Sequence, residues 1–148
     1  MTSFKRLGRE QMAWRVAQDI AGGSYVNLGI GMPEMVANHV SVDRQVVFHS
    51  ENGILGLGPV AVAGEEDFDL VTAGKKPATV LPGAAYFDSA LSFAMIRGGH
   101  LDIAVLGAFQ VSRTGDLANW STGEATVTPA VGGAMDLAQG AKRVFVLT

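Results

Sequence analysis

The chain has 148 residues, 48% hydrophobic and 17% charged, enough apolar material for one domain with a real core and too little charge for a disordered segment. Its net charge of -3, with no clustering of Lys and Arg, argues against a nucleic-acid backbone as the main partner. There is no cysteine, which removes disulfides, thiolate metal sites and a cysteine nucleophile, and there is no apolar run long enough to span a membrane.

Residues 1–10 carry charges but no apolar core of signal-peptide length, so a soluble cytoplasmic protein is expected. From Arg9 to Ile20, Met12, Val16 and Ile20 recur every fourth residue with Ala13 and Ala17 beside them, which predicts an amphipathic helix stopped by Gly22-Gly23. Tyr25 to Leu28 reads as a strand. Gly29-Ile30-Gly31-Met32-Pro33 then turns into a second helix running toward His39, with Pro33 at a favoured first position. Gln45 to His49 is the next strand, so the first third reads α-β-α-β, the pattern of a parallel sheet with helical crossovers.

Beyond Pro59, the acids Glu65, Glu66, Asp67 and Asp69 fit no calcium loop and are expected in a solvated loop. Ala78 to Leu81 predicts a strand closed by Pro82-Gly83. Asp88 or Ser89 caps a helix carrying Leu91, Phe93, Ala94, Met95 and Ile96 and ending at Gly98-Gly99. Leu101 to Leu106 is a strand, 110–119 a polar, turn-rich connection, Ala134 to Gln139 a short helix after Gly132-Gly133, and Lys142 to Leu147 a final strand. A single domain over 1–148 is expected: an open, mostly parallel α/β sheet with helices on both faces. Its last strand has no covering helix after it, which predicts a domain that is incomplete at its C-terminus.

The most informative stretch follows the strand ending at His49. The apolar run Val46-Val47-Phe48 stops at Ser50-Glu51-Asn52-Gly53, so Glu51 sits at a strand's carboxyl end, the edge where open α/β sheets bind ligands. The chain holds 19 glycines against an ordinary frequency of about 7%, and they fall in short motifs rather than a low-complexity tract, as loops that approach a ligand or another chain require. A dinucleotide site is one reading, since Gly29-Ile30-Gly31 follows a strand and Glu51 lies about 20 residues on. It fails at Pro33-Glu34, where a third glycine is needed and an anion stands instead. No Gly-x-Ser-x-Gly elbow exists, and His39, His49 and His100 have no metal-ligand spacing. His49 is two residues before Glu51, which suits orientation or packing. Glu51 as a nucleophile remains: a fixed carboxylate can attack an activated acyl group if backbone N–H donors meet the oxyanion, and the glycine loops 29–31 and 132–133 are sources of such donors. Asn27, near the end of the preceding strand, is within reach of either the Glu51 carboxylate or a substrate carboxylate.

Ser50-Glu51-Asn52-Gly53-Ile54-Leu55-Gly56 resembles the glutamate signature of the family I coenzyme A transferases. Asn27-Leu28-Gly29-Ile30-Gly31-Met32-Pro33, Ala73-Gly74-Lys75, Met95-Ile96-Arg97-Gly98-Gly99-His100, Gly115-Asp116-Leu117-Ala118-Asn119-Trp120 and Gly132-Gly133-Ala134-Met135-Asp136 resemble the family's other blocks, in its order, over nearly the whole chain from Arg9. The resemblance is to the β subunit and implies the family's NagB/RpiA-like fold, a chain continuing beyond Thr148, and an α subunit, in an α2β2 heterotetramer, that completes the site. It implies Glu51 as the catalytic residue, passing through a covalent glutamyl-CoA thioester with no metal or bound cofactor, the coenzyme A thioester being a co-substrate. Gly133 and Gly132 would supply backbone contacts at the acyl centre, Asn27 and Asn52 would orient substrate, and Lys75, Gly29 and Gly31 would contact CoA. Succinyl-CoA is the implied donor and a 3-oxo acid the acceptor. The 105–111 and 121–131 segments favour 3-oxoadipate, from aromatic-compound breakdown, over acetoacetate or acetate. A non-catalytic ligand-binding module on the same scaffold is the reading from a different class.

Overall fold

In the computed structural model, which describes residues 6–128 and 130–148, the sheet is assembled from both sides inward on one strand that is buried along most of its length. That strand, β5 (Ile103–Gly107), alternates its side chains between two cores. Ile103 and Val105 join Ala13, Val16, Ala17 and Ile20 of α1 (Arg9–Gln18) and its C-terminal extension, together with Val26 and Val36. Ala104 and Leu106 join Ile96 of α2 (Ser89–Arg97) and Leu137 of α3 (Ala134–Gly140) on the other face. Helices therefore cover both faces, and each fully buried Leu or Ile contributes about 1.5–3 kcal/mol.

The six strands run in the order β4-β3-β2-β1-β5-β8, where β1 is Tyr25–Leu28, β2 Val47–Ser50, β3 Ile54–Leu57, β4 Val80–Tyr86 and β8 Arg143–Leu147. Pairings of β1 with β2, β1 with β5 and β5 with β8 are parallel, while β2–β3 and β3–β4 are antiparallel. The carboxyl ends of β1, β2 and β5 thus lie on one edge. At their opposite ends Asp102 accepts from the Tyr25 amide at 2.9 Å and from Lys142 Nζ at 2.8 Å, tying three consecutive strands together.

Three local expectations are corrected and one turn is sharpened. The second helix, Met32–His39, is wound as a 3-10 helix. With three residues per turn, positions three apart line up, and that winding brings Pro33 and Val36 together into the core. Asn52-Gly53 is the turn its sequence predicts, and it closes a β-hairpin between β2 and β3: Gly53 takes a φ of 114°, and a Cβ there would overlap the Phe87 carbonyl. Pro82-Gly83 does not close a strand but lies inside β4, which tolerates a missing N–H because it is an edge strand with a register shift opposite Leu55 to Leu57. Part of the 110–119 connection pairs as a two-stranded hairpin, β6 (Gln110–Val111) with β7 (Leu117–Ala118), closed by Ser112, Thr114 and Asp116 hydrogen bonds. The acidic 65–69 segment is a loop, as expected, and among the described residues no group of His, Asp and Glu is arranged to hold a metal ion. No helix among them is long and apolar enough to cross a membrane. Residues 1–5 and Pro129 lie outside the described residues, so half of the charged 1–10 segment and one position of the 121–131 segment do too.

Candidate active site

Strand register creates the site. β1 and β2 are parallel with Asn27 opposite His49, so these two side chains stand side by side on the face that α2 covers, with Ala104 of β5 completing the row. Glu51 follows His49 by two residues and emerges in the turn at the end of β2. Asn27, His49 and Ser92 of α2 are all 0% exposed. Asn27 Nδ2 lies 3.1 Å from His49 Nδ1, 3.3 Å from the His49 carbonyl oxygen and 3.5 Å from Glu51 Oε2. The carbonyl and the carboxylate only accept, so the NH2 end of the amide must face them. His49 Nδ1 is consequently the bare nitrogen, and Nε2–H donates to Ser92 Oγ at 2.9 Å. Burial lowers the His49 pKa to about 4, so the ring is neutral at neutral pH, and it lies stacked on Phe87 with centroids 6.1 Å apart.

Glu51 itself is half-buried. Burial raises its pKa, opposed by the Asn27 hydrogen bond, which makes it a more basic carboxylate than one in water. On its other side stands Gly133. The Cβ that this glycine lacks would lie 3.3 Å from Glu51 Oε1 and 2.9 Å from Phe93 Cζ, so the absence of a side chain is what lets the loop come this close. Gly132 beside it has a φ of 56°. Two contacts between α2 and α3 hold this loop: the Arg97–Asp136 ion pair at 2.6 Å, and the seating of Gly140 against the Ile96 carbonyl, where a Cβ would not fit. Among the described residues no protein group accepts from the Gly132 or Gly133 N–H.

The other glycine loop is built differently. Gly29 N–H donates to the Val105 carbonyl at 2.8 Å and Gly31 N–H to Glu34 Oε2 at 3.3 Å, so neither amide is open to an oxyanion or a phosphate. Glu34 also pairs with Lys76. The residues on either side of Glu51 hold a further loop: Ser50 Oγ accepts from the Ala73 amide at 2.9 Å, and Asn52 Nδ2 donates to the Val71 carbonyl at 2.7 Å. Asn52 thus anchors the 71–77 loop, whereas Asn27 reaches the carboxylate. Lys75 lies at that loop's tip with a φ of 59°, exposed, its backbone held by the Thr72 carbonyl. A groove of about 560 Å³ runs on the far side of this loop past Phe48, Ser50, Leu57 and Lys76, but Glu51, Asn27 and Gly133 are not in its wall, so it is not the acyl site.

Of the residues that the sequence marks, the fold brings Glu51, Asn27 and Gly133 together, with Gly132 beside them. Ser92, Phe87 and Phe93 join them without any mark in the sequence. Ser92 looks like any helix serine there, and only its zero exposure among apolar neighbours sets it apart.

A carboxylate at a parallel strand's end, backed by a buried amide and faced by a glycine loop whose amides have no acceptor among the described residues, suits acyl-transfer chemistry. The sequence matches the family model "Coenzyme A transferase" over residues 9–148, and the chain belongs to that family, among its β-type subunits. It is 63% identical over 147 residues to the B subunit of the 3-oxoadipate CoA-transferase of Pseudomonas putida, an alignment that covers 99% of this chain and 68% of that protein. It is 53% identical over 139 residues to the B subunit of the probable succinyl-CoA:3-ketoacid coenzyme A transferase of Bacillus subtilis, covering 94% and 64%. The chain therefore spans about two thirds of the length of these relatives. Among solved structures it resembles the acyl-CoA transferase YdiF of Escherichia coli O157:H7, with a TM-score of 0.70 at 19% identity over 99% of this chain and 25% of that one. It also resembles the decarboxylase AibA/AibB, with a TM-score of 0.65 at 21% identity over 95% and 58%. Likeness at that level shows the fold, which two chemistries share.

Proposed function

We propose that this chain is the β subunit of a CoA-transferase that moves CoA from succinyl-CoA to a 3-oxo acid, with Glu51 as the covalent nucleophile and 3-oxoadipate as the acceptor. The observation that carries the reading is the placing of the Glu51 carboxylate between the Asn27 amide and Gly133 at the carboxyl edge of β2. A Glu51 oxygen attacks the thioester carbonyl of succinyl-CoA, the oxyanion is met by the open Gly132 and Gly133 amides, and collapse expels CoA thiolate to leave an acyl-glutamyl anhydride. The thiolate then attacks the Glu51 carboxyl carbon, releasing succinate and leaving a glutamyl-CoA thioester. The acceptor carboxylate attacks that same carbon, the thiolate leaves again and then attacks the acceptor's acyl carbon, and Glu51 is restored. Thioester energy is conserved throughout, so the reaction needs no metal or organic cofactor.

Burial of Glu51 favours this role because it raises the nucleophile's basicity, while the Asn27 hydrogen bond opposes that rise and favours the charged, attacking form. Lys75, exposed at the tip of a loop clamped to both neighbours of Glu51, suits a CoA phosphate. An α partner, in an α2β2 assembly in the cytoplasm, would complete the pocket. The acceptor assignment draws on the higher identity to the 3-oxoadipate enzyme's subunit than to the 3-ketoacid one. The test is to incubate the full-length chain and its α partner with succinyl-CoA, trap with hydroxylamine or borohydride, and map the adduct by mass spectrometry. A modified Glu51 peptide is expected, with exchange onto 3-oxoadipate exceeding that onto acetoacetate or acetate. An unmodified peptide would favour a non-catalytic binding module instead.

A further inference from the structure

We infer that Ser92 and His49 are positioning residues: they fix which way the buried Asn27 amide faces and so hold the Glu51 carboxylate in its attacking pose. This rests on the reading of Glu51 as nucleophile. Asn27 Nδ2 is the one side-chain donor to Glu51 among the described residues, and an amide turned by 180° would set its oxygen against the Glu51 carboxylate and the His49 carbonyl. Three acceptors oppose that turn, the His49 carbonyl, the Glu51 carboxylate and the bare Nδ1 of His49 3.1 Å away, and the Ser92 hydroxyl, which takes the Nε2–H, holds the ring with Nδ1 toward the amide. An imidazole carrying its proton on Nδ1 would present a donor to a donor, take away one of the three acceptors that hold the amide and push its NH2 end off the Glu51 carboxylate.

Plain packing does not account for the trio. Asn27 Oδ1 is buried with no partner among the described residues, a loss that an apolar side chain would avoid. All three side chains are completely enclosed, so water does not fix the orientation. Their location explains the cost: Ser92 is on α2, which also carries Phe93 against Gly133, so one helix sets both flanks of Glu51.

The full-length chain assembled with its α partner supplies the test. Ser92→Ala should lower kcat about 10-fold and His49→Leu about 100-fold, each with the KM for succinyl-CoA changed less than about 2-fold, since the groups act on attack and not on binding. His49→Gln, whose amide can accept from Asn27 and donate to Ser92, should stay within about 3-fold of wild type. Nitrogen-15 spectra of labelled histidine should show the wild-type His49 with Nε2 protonated and Nδ1 bare, and a mixture of tautomers in Ser92→Ala. Wild-type kcat in Ser92→Ala, equal losses in His49→Gln and His49→Leu, or an Nδ1-protonated ring would each overturn the inference. If His49→Leu fails to fold, Ser92→Ala and the wild-type spectrum decide it. Glu51→Gln runs beside them: an inactive Glu51→Gln with a fully active Ser92→Ala removes the relay alone, whereas an active Glu51→Gln removes the nucleophile and the relay together.

Discussion

The two glycine loops at the carboxyl edge of the sheet begin as equals and end as opposites. In sequence, Gly29–Gly31 and Gly132–Gly133 carry the same signal, paired glycines at the start of a helical segment. In the fold, the first loop's amides are occupied, Gly29 by the neighbouring strand and Gly31 by Glu34, and its acid reaches on to Lys76. The second loop's amides have no acceptor among the described residues, and its backbone stands against the Glu51 carboxylate. Glycine at 29 lets the strand pack, because a Cβ would lie 3.0 Å from the Val105 carbonyl oxygen, and glycine at 133 lets its loop lie against Glu51 and Phe93. A glycine motif therefore reports close approach, and what is approached decides whether the reason is structural or chemical.

The largest expected effect tests whether the open loop flanks the chemistry at all. Glu51→Gln should reduce CoA exchange by about 1000-fold or more, and no Glu51 adduct should be trapped. The same variant should unfold at a higher temperature at neutral pH, because burial disfavours the charged carboxylate and raises its pKa. In the window between its ordinary and raised pKa the folded chain holds more proton than the unfolded one, so wild-type stability declines as pH rises there.

Next in size is the scaffold beneath Glu51. The unfolded chain protonates His49 near pH 6.5 and the folded chain only near about 4, so its neutral form contributes fully above 6.5 and the stability is lost as pH falls from 6.5 toward 4. Urea unfolding of the full-length complex should lose roughly 2–3 kcal/mol across that range, and His49→Gln should flatten the slope. A slope unchanged by that substitution would mean that other groups dominate.

Gly133→Ala should lower kcat about 100-fold with little change in secondary structure, since the new methyl meets both Phe93 and Glu51 Oε1. Gly29→Ala should do the reverse, costing about 1–3 kcal/mol of stability while kcat per folded enzyme changes less than about 3-fold. Should Gly29→Ala kill activity in a fully stable protein, the contrast between the loops collapses. The smallest effect concerns Lys75. Lys75→Gly should gain about 0.5–1 kcal/mol by relieving a left-handed backbone, yet raise the KM for succinyl-CoA several-fold, a split that thermal unfolding and steady-state kinetics together would show.

Much of the architecture was legible because it rests on local signals. The four-residue spacing in α1, the apolar run of β5 and the cap at Asp88, which accepts from the Leu91 amide at 2.8 Å, need no tertiary information. Antiparallel β3 was not legible: Ile54-Leu55-Gly56-Leu57 is apolar and glycine-rich without alternation, and only pairing with β2 and β4 makes it a strand. Within the site, Glu51 and Asn27 were marked by polarity at strand ends. Ser92 was invisible because its importance comes from standing over β2, 43 positions from His49 in sequence. Asn52 shows the opposite case: in a turn, successive side chains diverge, and next to Glu51 its amide nitrogen goes to the Val71 carbonyl of the adjoining loop, a partner nothing in the local sequence names.

Pro82 and Gly83 in β4 have a consequence beyond strand geometry. The outermost strand on that side carries a residue with no N–H and, next to it, a φ of 89°, opposite a shift in register. An unpaired ladder is a template onto which any extended segment can be added, and these two residues spoil the template at its middle. An assembly that uses the β4 side meets a backbone ladder broken at Pro82-Gly83, so side-chain shape and chemistry weigh more there than indiscriminate backbone pairing.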